Sequence, residues 1–238
     1  MVIMYKELAK YYDLIYSWKD YEKEANQINK LIKKYKKSDE NELLDVGCGT
    51  GKHLHYFKDK FSCTGIDLNV EIIDIAKTNV SDVIFTQGDM INFDLKTTFD
   101  VIICLFSSIG YVKTYDNLEK TIMNFSKHLK SGGVVIIEPW FTKSSYWVGI
   151  PGMTTYDGED IKIARVNTTS LENNLSIMEM HYLIAEKDKQ VKYFVDSHEL
   201  GLFEIDRFLE IINRSGFKAE FLKDGLMEGR GLYIGIKS

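Results

Sequence analysis

Cysteine, proline and arginine are scarce in this chain, and long apolar runs are missing from it. Its 238 residues include three cysteines and two prolines. Cys48, Cys63 and Cys104 are widely spaced and form no C-x-x-C pair, which argues against a disulfide framework or a zinc site and for a reducing, cytoplasmic setting. No stretch approaches the roughly 18 apolar residues that cross a bilayer. The amino-terminal MVIMYKELAKYYDLIYS carries charges throughout and shows no cleavage-site pattern, so secretion is not expected. A net charge of −5 disfavours nonspecific contact with nucleic acid or an anionic membrane. His53 and His55 are two apart on an expected helix and point apart, so they are expected on the surface and no metal site is expected.

What is present is an alternation. Helices are expected at about 4–17 and 20–37, the second capped by Asp20, with the lysines of KLIKKYKK as its solvated face. ELLDVGCG (42–49), SCTGIDL (62–68), DVIFTQGDM (82–90), FDVIICLF (99–106) and VVIIEPW (134–140) read as strands. Helical stretches lie between them, one near 70–79 and one at 115–130 closed by KSGG. Strands alternating with helices imply right-handed crossovers and an α/β fold with a parallel sheet. After Trp140 the rhythm changes. IKIARVNTT, LSIMEMHYLIA and VKYFVDSHEL suggest a small antiparallel sheet inserted into the core. A helix at 204–216 and two closing strands, KAEFLK and GLYIGIK, then complete a mixed sheet with an antiparallel edge hairpin.

The strongest local signal is LLDVGCGTG, Leu43 to Gly51. Gly47, Gly49 and Gly51 follow an apolar strand and open a helix, where backbone takes unusual dihedrals or approaches a ligand closely. Asp67 ends the next strand, where a carboxylate can accept both hydroxyls of a ribose. Dinucleotide folds want G-x-G-x-x-G; here the third glycine comes one place early, and the G-K-S/T of a Walker loop is missing.

LLDVGCGTG, GID and GDM together resemble class I S-adenosylmethionine-dependent methyltransferases. That resemblance implies a Rossmann-like seven-stranded sheet and S-adenosylmethionine as cofactor. The glycine loop would hold its methionine part, Asp67 its ribose, and Asp89 with Met90 its adenine. Tyr12, Tyr21, Asp45, Cys48, Leu68 and Leu105 complete the expected cofactor contacts.

VIICLFSSIGY (101–111) ends the fourth strand beside the first, so its carboxyl end faces the cofactor. Ser107, Ser108 and Gly110 leave room there for a second substrate, and Tyr111 sets a phenol near the transferred methyl group. The alternative is a helix-capping serine pair with a packed tyrosine.

From Tyr5 to Gly235 the chain is similar to one branch, the N,N-dimethyltransferases that act on dTDP-linked amino sugars in macrolide-antibiotic pathways. YYDLIY (11–16), KDYEKEA (19–25), QGDMINF (87–93), FSSIGY (106–111), GGVVIIEPW (132–140), MEMHY (178–182), DSHELGLF (196–203) and EGRGLYIGI (228–236) carry the similarity. It departs at Phe141, where the family usually has tryptophan. The resemblance implies a helical cap (1–40), a cofactor-binding core (41–140 and 201–238), an insert over the acceptor site (141–200), and a homodimer. Methylation of another small amine or carboxylate, or cofactor binding without turnover, remain as alternatives.

Lysine outnumbers arginine 26 to 4, so each arginine is informative. Arg207 and Arg214 fit a solvated helix face. Arg230 sits between two glycines before an apolar strand, where a planar guanidinium suits a diphosphate, the contact the family makes there. Arg165, Trp140, His181 and His198 are the further acceptor-lining candidates; both histidines read equally well as packed strand residues. Methyl transfer needs nucleophile, carbon and sulfur in line, and Tyr111 and Tyr5 are the candidates for orienting the amine. A phenol titrating near about 10 is a weak base at neutral pH.

Overall fold

The computed structural model describes residues 2–238, with side chains from Leu8 onward. Helices α1 (Val2–Ile15) and α2 (Tyr21–Tyr35) open the chain. Asp20 caps α2 by accepting the Lys23 N–H at 2.9 Å, and Ala25, Ile28 and Ile32 form its buried stripe. Lys33 and Lys34 stay exposed in the last turn, where the helix dipole favours them.

The core alternates as its apolar pattern requires. β1 (Glu42–Val46), α3 (Lys52–Phe57), β2 (Ser62–Asp67), α4 (Val70–Asn79) and β3 (Ile84–Gln87) come first. β4 (Phe99–Cys104), a 3₁₀ helix (Ser108–Val112), α5 (Tyr115–His128) and β5 (Leu129–Ile137) follow. After the insert come α6 (Ile205–Arg214), β10 (Phe217–Leu222) and β11 (Leu232–Lys237). The seven-stranded sheet runs β10-β11-β5-β4-β1-β2-β3. β4 is buried at every residue, as an unbroken apolar run predicts for a strand covered on both faces. β11 is the antiparallel strand and lies one place in from the edge; β10 turns back and rejoins the parallel direction. Chain order reverses between β1 and β4, and in open α/β sheets the carboxyl ends of the strands at such a reversal form the binding crevice.

One expected helix end is corrected. KSGG does not close α5, because Lys130–Gly133 already belong to β5, whose pairing with β4 shifts register between Phe99 and Val101. Gly132 at φ 75° lets its carbonyl accept Lys37 N–H at 2.8 Å and Ser38 N–H at 3.2 Å, tying the end of α2 to the sheet.

The inserted sheet has four strands where the sequence suggested three: β6 (Gly152–Asp157), β7 (Ile161–Glu172), β8 (Leu175–Glu186) and β9 (Lys192–Gly201), antiparallel in that order. β6 carries little apolar weight, since Met153, Thr155 and Asp157 point to solvent. The inner face packs Ile163, Met180, Tyr182 and Ile184 on Leu8, Tyr11 and Ile15 of α1. α1 is pinned below as well, where Asp13 accepts the Thr50 hydroxyl at 2.6 Å and pairs with Lys52 at 3.2 Å.

Candidate active site

β1 delivers the chain into a nest of backbone amides. Gly47, Gly49 and Gly51 have φ of 73°, 55° and 80°, in the left-handed region that other residues enter at a cost. The N–H groups of Gly47 and Cys48 donate to Ile66 O at 2.8 and 3.0 Å, and the Gly49 N–H donates to Asp67 Oδ2 at 3.0 Å. The glycines serve different ends. A Cβ on Gly47 would stand 2.7 Å from the Ser108 Cβ, and one on Gly51 would stand 3.0 Å from Phe85. A Cβ on Gly49 would meet nothing within 4 Å, so Gly49 faces open space at the mouth of the nest.

Below the nest Asp45 is 2% exposed, and its Oδ2 has no hydrogen-bond partner. Burial, with Asp67 adding, pushes its carboxyl up to about 8. An orphaned buried carboxyl beside open backbone calls for a cationic ligand group. Asp67, likewise raised by burial, accepts the Asn69 N–H on Oδ1 at 3.0 Å. Asp89 accepts the Ile91 N–H at 2.9 Å, and the Met90 methyl would lie 3.9 Å from a Cβ on Gly47. These features fit an adenosyl sulfonium carrying an amino acid: the carboxyls can accept from its ammonium and hydroxyls, and Met90 offers an apolar wall. Leu68 stands at the lip, 66% exposed, whereas Cys48 and Leu105 are packed in the core and burial pushes the Cys48 thiol up.

α1 brings tyrosines over this mouth. The Tyr12 phenol is pushed well above its usual range by burial, with Tyr16, Tyr21, Tyr111 and Asp67 adding, so these groups crowd one region. Tyr12 packs on Tyr16 with ring centres 4.7 Å apart, and Tyr16 meets Phe106 edge-on at 5.1 Å. The Tyr5 side chain lies outside the described residues.

β4 ends in consecutive non-glycine residues with positive φ, Phe106 at 51° and Ser107 at 63°. Such residues cost about 1–3 kcal/mol each and persist where surrounding bonds hold them. Here Glu138 Oε2 accepts the Phe106 N–H at 2.6 Å, and Ser107 donates to Pro139 O at 2.7 Å. Ser108 donates to Leu105 O at 2.9 Å, and Arg230 donates to the Ser107 hydroxyl at 3.0 Å. The small polar residues after β4 therefore lock a strained turn before the 3₁₀ helix that carries Tyr111, and Ser107, at the start of that helix, makes no side-chain cap bond to it.

Arg230 lies in an aromatic cage, its guanidinium 4.5 Å from Trp140, 5.3 Å from Phe141 and 5.9 Å from Phe106. Phe141 thus keeps the aromatic wall. The Nε of Arg230 and the Oε1 of Glu138 are buried without partners. Burial raises the Glu138 carboxyl, countered by Arg230 and Lys19. Arg165, on β7, donates to Tyr16 at 3.1 Å and Thr154 at 2.7 Å, so Tyr16 and Phe106 connect both arginines. Trp140 donates to Ser176 of β8 at 2.8 Å, fastening the insert to the core.

His198 reaches the same crevice: its Nδ1 hydrogen-bonds Tyr111, and its Nε2 is 2.9 Å from Asp196. His181 does not. It sits opposite Val195 on the outer face of the insert, bonded to Tyr193 and Glu179, because strand parity turns it away from Tyr182 and Arg165. His53 is buried rather than on the surface. It stands 2.8 Å from Glu24, which also binds Lys19, and burial lowers its imidazole pKa against the pull of Glu24. Arg214 pairs with Glu119 and Glu210 on the solvated face expected of it.

Sequence reasoning missed Lys19, Glu138 and Asp196. Glu138 ends an apolar strand as Asp67 does, and Asp196 stands two before His198 on one strand, which puts both on one face; these signals were present. Nothing local marks Lys19. Among the described residues no cluster suited to a metal ion occurs, and no helix is long and apolar enough to cross a membrane.

A family model described as a methyltransferase domain matches residues 43–133. The dTDP-3-amino-3,4,6-trideoxy-alpha-D-glucopyranose N,N-dimethyltransferase of Streptomyces venezuelae is 35% identical over 96% of this chain and 97% of its own length. The dTDP-4-amino-2,3,4,6-tetradeoxy-D-glucose N,N-dimethyltransferase of Saccharopolyspora spinosa is 34% identical over 97% of this chain and 92% of its own. The crystal structure of Streptomyces venezuelae DesVI superposes with a TM-score of 0.91 at 34% identity, covering 97% of this chain and 98% of that one. The chain belongs to the S-adenosylmethionine-dependent methyltransferases, in the family of the dTDP-amino-sugar N,N-dimethyltransferases, and S-adenosylmethionine is its cofactor.

Proposed function

We propose that this methyltransferase acts on the amine of a dTDP-linked amino deoxysugar and methylates it twice. The observation that carries the reading is Arg230, whose caged guanidinium has a buried, unpartnered Nε beside the strained end of β4. A planar donor fork held there by aromatic faces suits a diphosphate, and the relatives' substrates carry one.

Bound S-adenosylmethionine supplies an electrophilic methyl group on a sulfonium. The chain's own residues hold and orient. In this reading Gly47, Gly49 and Asp45 receive the amino-acid end, Asp67 the ribose, and Asp89 with Met90 the adenine, while Tyr12 and Tyr21 close the mouth. Arg230 takes the diphosphate, Arg165 and Trp140 bound the sugar pocket, and Ser107 and Ser108 hold the turn that presents Tyr111. The insert of residues 141–200 roofs the acceptor over the core, and α1 and α2 cap it from the other side. Holding amine and methyl in line supplies about 7–11 kcal/mol as effective molarity. A homodimer in the cytoplasm belongs to the same reading and is checked by light scattering.

Incubation with S-adenosylmethionine and a panel of dTDP-3-amino and dTDP-4-amino sugars, read by mass, tests the reading. A gain of two methyl units on one of them is expected. Turnover of a free amine with no gain on any dTDP sugar would contradict it.

A further inference from the structure

The imidazole of His198 joins two side chains on different elements. Nδ1 hydrogen-bonds the hydroxyl of Tyr111, on the 3₁₀ helix after β4, while Nε2 stands 2.9 Å from Asp196 Oδ2. Asp196 and His198 are two apart on β9, so both side chains project from the inner face of the insert. Asp196 is 7% exposed, and its Oδ1 accepts the Ser197 N–H at 2.9 Å. An ionised carboxylate only accepts, so Nε2 carries the ring hydrogen and Nδ1 of the neutral imidazole is an acceptor. The Tyr111 hydroxyl must then donate to Nδ1, which turns its lone pairs toward the crevice, where the residue is 44% exposed. Lys113 and Glu199, beside the same two elements, pair with each other at 2.6 Å.

We propose that Asp196 and His198 are positioning residues that fix Tyr111 as a hydrogen-bond acceptor for the substrate amine and take up the proton that amine must lose, an inference that rests on the amino-acceptor reading above. An ammonium has no lone pair and cannot attack, so each methylation follows loss of one proton. That proton passes to the Tyr111 oxygen as the Tyr111 proton passes to His198 Nδ1. The amine becomes neutral, the phenol stays neutral, and the ring becomes an imidazolium facing Asp196. After product leaves, the proton returns to solvent through the same hydroxyl. An imidazole is a better proton acceptor than a phenol, so the relay passes the proton beyond the weakly basic hydroxyl to the ring. The arrangement follows the logic of a reacting group, a base and an orienting carboxylate.

Nitrogen NMR of the ligand-free full chain with labelled histidine, assigned by His198→Gln, reads the tautomer without reference to activity. The expected ring carries its hydrogen on Nε2 with Nδ1 bare; a hydrogen on Nδ1 instead overturns the proposal. Kinetics give a second reading. His198→Phe and Tyr111→Phe should each lower kcat about 10²-fold, with the sugar KM and the cofactor Kd within about twofold. The double variant should fall no further, because groups acting as one unit are not additive. Losses that multiply in the double variant, or wild-type kcat in His198→Phe, overturn it. A wild-type protein that turns over no amino sugar counts against the functional reading above, and the tautomer still decides the orientation of Tyr111.

Discussion

In the proposed reading the cofactor side of the crevice is built from the backbone of one short stretch, Val46 to Gly51, answered by carboxyls at the ends of two neighbouring strands. The acceptor side proposed for it is built from side chains that five separate stretches contribute: Lys19 before α2, Phe106 to Tyr111 after β4, Glu138 to Phe141 after β5, the inner face of the insert, and Arg230 before β11. A nest made of main chain varies little in what it can bind. A pocket made of scattered side chains can be retuned one residue at a time, which suits a scaffold whose relatives act on amino groups at different sugar positions.

Changes that strike one side alone would sharpen this contrast. The largest effect is expected from Gly47→Ala, which places a Cβ 2.7 Å from Ser108 at φ 73°. A left-handed conformation alone costs about 1–2 kcal/mol for a residue with a Cβ. Calorimetry should show cofactor binding lost, and the melting temperature should fall. Gly49→Ala, where a Cβ meets nothing, should abolish binding with a smaller loss of stability.

Asp45→Asn comes next, with opposite signs in its two readouts. The Asp45 carboxyl is raised to about 8, so the ligand-free fold holds a proton that the unfolded chain has released. More protons bound in the native state make stability fall as pH rises from about 4, the unfolded carboxyl's value, to about 8, where the loss is complete. Asparagine removes that slope. Near pH 8 the variant should melt higher than wild type, by about 2–4 °C for each kcal/mol relieved, yet bind cofactor about tenfold more weakly for the lost charge-assisted bond. A variant that melts lower and binds equally would show that Asp45 has another partner.

The smallest effect is expected from His181→Ala. Its ring faces outward on β8, so kcat and KM should stay within about twofold, the range of a surface change. A selective rise in the sugar KM would bring His181 back into the acceptor pocket.

The same division explains how much of the molecule could be read from the chain. Gly47, Asp45 and Asp67 were legible because the nest is local and its chemistry is dictated by dihedrals and strand ends. Arg230 was legible because arginine is rare here and two glycines flank it. Lys19 was not, since its partners Glu24 and Phe106 come from helix packing and a distant turn. His181 and His198 looked alike as strand histidines; the β8–β9 register decides which one faces inward. β6 escaped because half of it points to solvent and its other half rests on its neighbour β7.

One paired titration of Arg230→Ala tests the separation of the two sides most directly. S-adenosylmethionine should bind as tightly as it does to wild type, while dTDP binding should weaken about 10–10²-fold, the range for losing hydrogen bonds to a charged group. Equal weakening of both ligands would contradict it, because Arg230 would then support the fold of the crevice rather than the acceptor.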